Sequence, residues 1–536
     1  MATKLVRRFE KAVQQNNHNE LSKLAAPVFA AEVDQFDYDS LALASLQLAN
    51  AQDYRLAFKF AQKAVARDVT RVEAPELIFW IYFNTKDHDQ ASETLSLIRS
   101  LEASKAREDI YRDWEIVIAH AKSEVDIVRD LFARRGRLPS EDDARFMELS
   151  FAYVRAFAPS ELENVEKWIN SVDQARLMTN PYGVMSIVTF LTAKGEIDKA
   201  VEVYRAALRG ELVDTPELVW NLSLLEISCG DPVGWRRYWN RWDFSGFPSP
   251  NRKFALPRWT PQHDLSGKSI LIWGEQGLGD EIQFLTRLPY LVALGPKKIT
   301  LEVNSKIVPL VSRWFSSLEV RAHGPLDCSD LPDYKIYDFQ MPMGDLPCWF
   351  SQKLPVQKAI YLDLSKETAP IKADYKNFFG NSLPIIGLSW RSGLTNASRN
   401  DSYVNANAVR DLAKSYEGKL NFVALQYGVT EEELETLATQ PNMMAPKVDF
   451  YNDVLEHARY ISACDLVVVA LTSAFQLAGV TFTPCITWIE KNHMLLEGGN
   501  DKVWYDTIHF IKTERKYDRG ALLFQIKKRL DRVIER

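Results

Sequence analysis

Two periodicities divide this chain. Up to about residue 245, apolar positions recur three and four residues apart over stretches of helical length, with polar turns between them. From Ser266 the pattern changes to short β-rich runs, SILIW, KITLEV, LEVRA, IIGLSW, LNFVAL, DLVVVA and CITWI, separated by helical stretches. Strands alternating with helices predict parallel sheets with helices on both faces. The alternation stops at MPMGDLPCWFSQKLPVQKA and restarts at Pro384, so two α/β units are expected.

The helical half repeats. Aligned by the turn between paired helices, NAQDYRLAF carries Ala57, NTKDHDQAS Ala91, AKGEIDKAV Ala200 and SCGDPVGWR Trp235, with weaker turns near Val128 and Val165. Ala57 and Ala91 lie 34 residues apart, Ala200 and Trp235 35. Over roughly residues 40 to 245 this period resembles degenerate tetratricopeptide (TPR) repeats, which implies an α-solenoid with a concave surface for a partner. A helical bundle with the same spacing is the alternative. The aromatic stretch VWNLSLLEISCGDPVGWRRYWNRWDF reads as packing against the next domain, and SGFPSPNRKFALPRW then breaks the period with prolines and glycine. The expected boundaries are a TPR-like helical domain over 1–245, a linker over 246–265, and Rossmann-like units over 266–378 and 379–536. The cleft is expected outside the carboxyl ends of their strands, with GALLFQIKKRLDRVIER packing across the join.

Composition narrows the function. A chain of 536 residues with 46% hydrophobic content has room for several cores, and a net charge of −6 with interspersed signs argues against a general nucleic-acid or anionic-membrane surface. Cys229, Cys328, Cys348, Cys464 and Cys485 form no C-x-x-C pair, and the eight histidines show no metal-ligand spacing. With no apolar signal core after MATKLVRRFEKAVQQNNHNE and no run of 18 apolar residues, a cytoplasmic protein without a membrane span is expected.

The densest chemistry is GEQGLGDEIQF, residues 274–284, between a strand and a helix, where bare backbone lets a ligand approach a helix N-terminus. Its G-x-x-G-x-G spacing is neither the dinucleotide motif nor a P-loop. SGKS at 266–269 is no P-loop either: Gln262 stands where that motif needs glycine, and the segment precedes the strand.

IWGEQGLGDEIQF, DFQMPMGDLP, IGLSWRSG followed by RNDSYV, FVALQYG, and DFYNDVLEHARYISACDLVVVALTSAFQLAG occur in an order that resembles bacterial TPR-containing glycosyltransferases. Over residues 266–515 they are similar to ADP-heptose:lipopolysaccharide heptosyltransferases and, more distantly, to O-GlcNAc transferases. The resemblance implies a GT-B fold, an acceptor-side first unit and a nucleotide-sugar-binding second one. It makes Asp280 the candidate general base, with Glu275 and Glu281 as rivals and Gln276, Gly277 and Gly279 completing the loop. An Asp favoured by the helix dipole is the plainer reading of Asp280. On the donor side, Trp390, Arg391 and the Ser392–Gly393 backbone are candidates for phosphate contact, with Arg399 as a second cation. Gln426 and Tyr427 correspond to the region near the nucleotide base. Asp449 and Asp453 flank a loop toward the ribose, Asp453 doubling as a helix cap, and Thr472 and Ser473 open a second helix N-terminus. Where the family carries DTxxxH, this chain has Leu471, Thr472 and Gln476, which leaves the sugar open.

The expected activity is transfer of a sugar from a nucleotide-sugar donor to a protein held by the TPR region. The resemblance extends to flagellin glycosyltransferases that use a CMP-linked nonulosonic acid such as pseudaminic acid. No metal and no cofactor are expected, and the donor nucleotide, CMP-, UDP-, GDP- or ADP-linked, stays open. Transfer onto a lipopolysaccharide or capsule precursor, and a non-catalytic TPR scaffold, are the alternatives.

Overall fold

The structure, a computed structural model, describes residues 2–351, 361–392, 403–491, 493–499, 504–513 and 519–535. The chain divides into two compact units, Met1–Phe190 and Leu191–Arg536.

The first unit is built from helix pairs: Ala2–Gln14 with His18–Ala30, Tyr38–Asn50 with Tyr54–Arg67, Glu73–Asn84 with His88–Ser100, and Glu108–Ala121 with Val125–Arg135. One turn joins each pair. A residue in the left-handed region (Asn16, Gln52, Lys86 or Ser123) ends the first helix. The next N–H then reaches back five residues at 2.9 Å, from Asn17 to Ala12, Asp53 to Leu48, Asp87 to Tyr82 and Glu124 to Ala119. That closure is a Schellman-type cap. At three of these turns the same residue starts the second helix, Asn17, Asp53 and Asp87 accepting from the N–H of Glu20, Leu56 and Gln90. The fourth residue of each second helix, Leu21, Ala57, Ala91 or Val128, is buried. The turn recurs in the second unit with Gly195 and Gly230 as the left-handed residues and Ala200 and Trp235 as the buried ones. Near Val165, between Phe146–Phe157 and Leu162–Ile169, no left-handed residue is present.

The second unit carries two parallel sheets. The first contains β1 (Ser269–Trp273), β2 (Lys298–Val303), β3 (Glu319–Ala322) and β4 (Phe339–Pro342) in the order β3-β2-β1-β4. The second contains β5 (Ile385–Ser389), β6 (Asn421–Ala424), β7 (Met443–Met444), β8 (Leu466–Val469), β9 (Cys485–Glu490) and β10 (Ile508–Thr513) in the order β10-β9-β8-β5-β6-β7. β6 and β8 are buried at every position, as strands covered on both faces should be. One hydrophobic cluster runs from Ile270 and Ile282 beside the first sheet to Val467, Phe475 and Tyr505 beside the second.

Three strands were not expected among the described residues: β4, which runs into the start of the stretch read as the break, β7, only two residues long, and β10, whose His509 and Lys512 are exposed. The segment 246–265, expected to be a linker, is docked on the first sheet. Trp259 N–H donates to Gln340 O at 2.9 Å, Gln340 N–H to Pro257 O at 3.1 Å, and Arg252 pairs with the buried Glu302 at 2.6 Å. Its prolines break the helix without freeing the chain, and its backbone covers the open edge of β4. The helix pair Pro216–Ser228 and Pro232–Tyr238, read with the helical half, belongs to the second unit.

Candidate active-site cleft

Strand order locates the crevices. In the first sheet the chain steps from β1 to β2 on one side and returns to β4 on the other; in the second it leaves β5 for β6 and returns to β8. At such switch points the loops beyond the carboxyl ends of the strands part and make room for a ligand.

The first crevice is filled by the protein itself. Glu275, from the loop after β1, receives Arg241 Nε at 2.8 Å, a second Arg241 nitrogen, and Gly344 N–H at 2.7 Å. Arg241 also pairs with Asp345 at 2.9 Å, and Arg258 with Asp345 at 2.6 Å; Arg241, Glu275 and Asp345 have no exposed side-chain surface. A Cβ on Gly344 would stand 2.5 Å from a Glu275 oxygen, so that glycine admits the cluster. Glu281 lies across the tops of three strands: it accepts from Asn304 N–H after β2 at 2.9 Å, pairs with His323 Nε2 after β3 at 3.1 Å, and sits where a Cβ on Gly274, after β1, would fall 2.5 Å from its carboxyl carbon. The first glycine of the motif therefore makes room for the chain's own carboxylate. Glu275 and Glu281, the rivals to Asp280, are both enclosed and bonded.

Asp280 differs. It stands in the first turn of the helix Leu278–Leu285, partly exposed, and accepts the Gly277 N–H at 3.0 Å. Burial pushes its carboxyl up to about 6; the neighbouring Glu275 and Glu281 charges add to the shift and the Gly277 bond opposes it. Gln276 is left-handed at φ 64 and is held by Ser249 and Tyr238. A Cβ on Gly279 would lie 3.6 Å from Gln476 Cγ and 3.7 Å from Ser473 Cα, at ordinary contact distance, so the protein's own atoms do not demand glycine there. The loop after β1 thus meets the N-terminus of the helix Ser473–Val480 from the second sheet.

The residues expected to bind the donor lie in the loops and helix starts of the second sheet. Gln426, after β6, accepts from Trp390 N–H at 2.9 Å and Arg391 N–H at 3.0 Å and donates to Arg391 O and Tyr427 O, both at 2.9 Å. Its side chain clamps the loop after β5. Arg391 is bound through two nitrogens to Glu433, at 2.9 and 2.5 Å, and donates to Gly428 O at 2.7 Å. Trp390 is buried, and Ser392 follows partly buried. Thr472 accepts from Ala474 N–H at 3.3 Å as a helix cap, with Ser473 the first helical residue. Asp453 caps Val454–Ser462, accepting from Glu456 N–H at 2.9 Å, and Asp449 bonds Tyr451, Asn452 and the Asn452 amide. The Tyr427 ring lies 6.1 Å from that of Tyr451, over which Lys306 from the first half reaches to 3.3 Å. Gly393 and Arg399 lie outside the described residues.

Sequence reading missed Arg241 and His323, partners of Glu275 and Glu281, and Asp345 with Arg258, the pairs lying 34 to 104 residues apart. It also missed a buried chain in which Gln476 Nε2 donates to Gln283 Oε1 at 2.8 Å and Tyr505 donates to Gln476 Oε1. The departure at Gln476 was the one available signal for that chain.

Among the described residues no three His, Cys, Asp or Glu side chains are grouped to hold a metal, and no helix is long and apolar enough to cross a membrane. No family model matches the chain. Protein FlbA of Caulobacter vibrioides is 29% identical over 344 residues, 60% of this chain; the match spans about half, 56%, of that protein's length. Among solved structures, E. coli ADP-heptose LPS heptosyltransferase II is 14% identical, covering 48% of this chain and 99% of its own, with a TM-score of 0.34. A Thermobaculum terrenum O-GlcNAc transferase mutant is 12% identical over 93% of both chains, with a TM-score of 0.24. Scores this low do not establish a shared fold or activity.

Proposed function

We propose that this chain is a GT-B glycosyltransferase that moves a sugar from a nucleotide-sugar donor to a hydroxyl of a protein, with its helical hairpins acting as a TPR-like grip for that protein. The observation that carries this reading is the approach of Gly279, one residue before Asp280, to the start of the helix Ser473–Val480, so close that a Cβ on Gly279 would stand 3.7 Å from Ser473 Cα; the ends of two parallel sheets thereby meet at one cleft. The loops that meet there are those whose motifs resemble the glycosyltransferases.

In the reaction the acceptor hydroxyl oxygen bonds to the anomeric carbon while the bond from that carbon to the donor phosphate breaks with its electron pair. Asp280 takes the hydroxyl proton; a carboxyl raised to about 6 is a better base than an ordinary aspartate. The charge on the leaving phosphate falls at the helix start at Thr472–Ser473, where N–H groups and the dipole favour an anion, with no metal required. Flagellin as acceptor and a CMP-linked nonulosonic acid as donor are the finer form of the proposal and rest on the sequence resemblance.

The test is turnover of CMP-, UDP-, GDP- and ADP-sugars by the full chain and by Asp280→Asn. One nucleotide class is expected to turn over, and the mutant to lose at least ~100-fold. No turnover of any class, with protein and lipopolysaccharide acceptors supplied, would mark the chain as a scaffold. Transfer to the lipopolysaccharide alone would keep the enzyme and discard the protein acceptor.

A further inference from the structure

The two halves of the cleft are tied by one buried polar chain. Gln283 lies on the helix that begins beside Asp280, Gln476 on the helix that begins at Ser473, and Tyr505 just before β10. Gln283, Gln476 and Tyr505 are 3%, 3% and 2% exposed, Tyr505 within the large hydrophobic cluster and facing the buried Arg287. Gln476 uses both ends of its amide: Nε2 donates to Gln283 Oε1 at 2.8 Å and Oε1 accepts from Tyr505 OH. The site is shaped for this. The Tyr505 ring lies against Gly479, where any Cβ would collide with it, and the Gln476 Cγ passes 3.6 Å from where a Cβ on Gly279 would be. An amide linked at both ends inside an apolar core fixes direction as well as distance, which apolar packing alone does not do.

We propose that Gln476 is a positioning residue: by holding Gln283 and Tyr505 it sets the spacing between Asp280 on the acceptor side and the Thr472–Ser473 helix start on the donor side. This rests on the glycosyltransferase reading above. Its consequence is a separation of binding from turnover. The proposed phosphate subsite, at Trp390–Arg391 and Thr472–Ser473, is built from loops of the second half, so it survives loss of the tie, whereas attack across the cleft needs both halves in register. A small misplacement of reacting groups costs rate far more than affinity.

The experiment uses the full chain and four variants, Gln476→Leu, Gln476→Met, Gln283→Leu and the double Gln476→Leu/Gln283→Leu. CMP, UDP, GDP and ADP are titrated by calorimetry, and hydrolysis of the matching nucleotide sugars is measured. The expected result is a nucleotide Kd within about twofold of wild type and hydrolysis slowed at least ~10-fold in each single variant. The double is expected to be no slower than either single, because the tie is already broken once. Gln476→Met keeps the proposal testable if the leucine variant does not fold. Undiminished hydrolysis in the single variants overturns the proposal. So does a parallel fall of affinity and rate that adds in the double variant, the mark of a purely structural residue. A wild-type chain that binds none of the nucleotides and hydrolyses none of their sugars defeats the glycosyltransferase reading itself.

Discussion

The carboxyl edges of the two sheets begin from the same strand-loop-helix pattern and end in opposite states. At the first, the crevice between β1 and β4 is closed by Arg241, Glu275 and Asp345, three charged side chains with no exposed surface. At the second, between β5 and β8, the loop is held by a neutral amide, Gln426, and its one described cation, Arg391, is paired at the rim, where Arg391 and Glu433 are each 17% exposed. Glycine-rich loops after a strand therefore do not by themselves report a ligand. Gly274 and Gly344 are explained by the protein's own carboxylates, while Gly279 is left to face the cleft.

If that contrast is right, Arg241→Met should cost the most. Removing it strips the enclosed Glu275 of its guanidinium and leaves Asp345 to Arg258, and breaking such a pair costs about 3–5 kcal/mol, read by urea denaturation of the full chain. Gln426→Leu should come next, at about 1–3 kcal/mol, because the Trp390 and Arg391 N–H groups lose their acceptor. Arg391→Met should cost about 1 kcal/mol or less, since its partner stays within reach of water. A loss for Arg391→Met equal to that for Arg241→Met would erase the distinction between the two edges.

Asp280→Asn sharpens the comparison through pH. Burial raises the folded carboxyl from 3.8 to about 6, so the folded chain holds that proton more tightly than the unfolded one. This group's contribution to stability therefore falls as pH rises between about 4 and 6 and is constant above. Asparagine does not ionise, so the stability gap in the mutant's favour should open across that window and then stay level. Thermal melts across the range read it, and a gap that closes with rising pH would contradict the raised Asp280 carboxyl.

The alternation of apolar runs gave seven of the ten strands among the described residues and the order of the two sheets along the chain, because parallel strands covered on both faces are continuous apolar words. It did not reveal β7, a two-residue strand, or the docking of 246–265, where prolines signal an end to helix but not whether the extended chain lies on a sheet edge. The repeat turns were legible as polar words, yet Gln52, Lys86 and Ser123 carry no glycine to mark the left-handed position. In the cleft, the loops were legible and their wiring was not. Glu275 reads as a rival base until Arg241 arrives from 34 residues upstream, and Gln476 reads as a lost ligand contact until Gln283 meets it across 193 residues. Contacts at such separations leave no local period to detect.

The proposed function requires the second crevice to be a nucleotide site whose phosphate lies at the start of the helix Ser473–Val480. Calorimetric titration of CMP, UDP, GDP and ADP into the wild-type chain and into Ser473→Asp tests this most directly, since a carboxylate at that position repels an incoming phosphate. One nucleotide is expected to bind the wild type, with its affinity falling at least ~10-fold in the mutant and the melting temperature little changed. Equal binding by both proteins, or no binding by either, would contradict it.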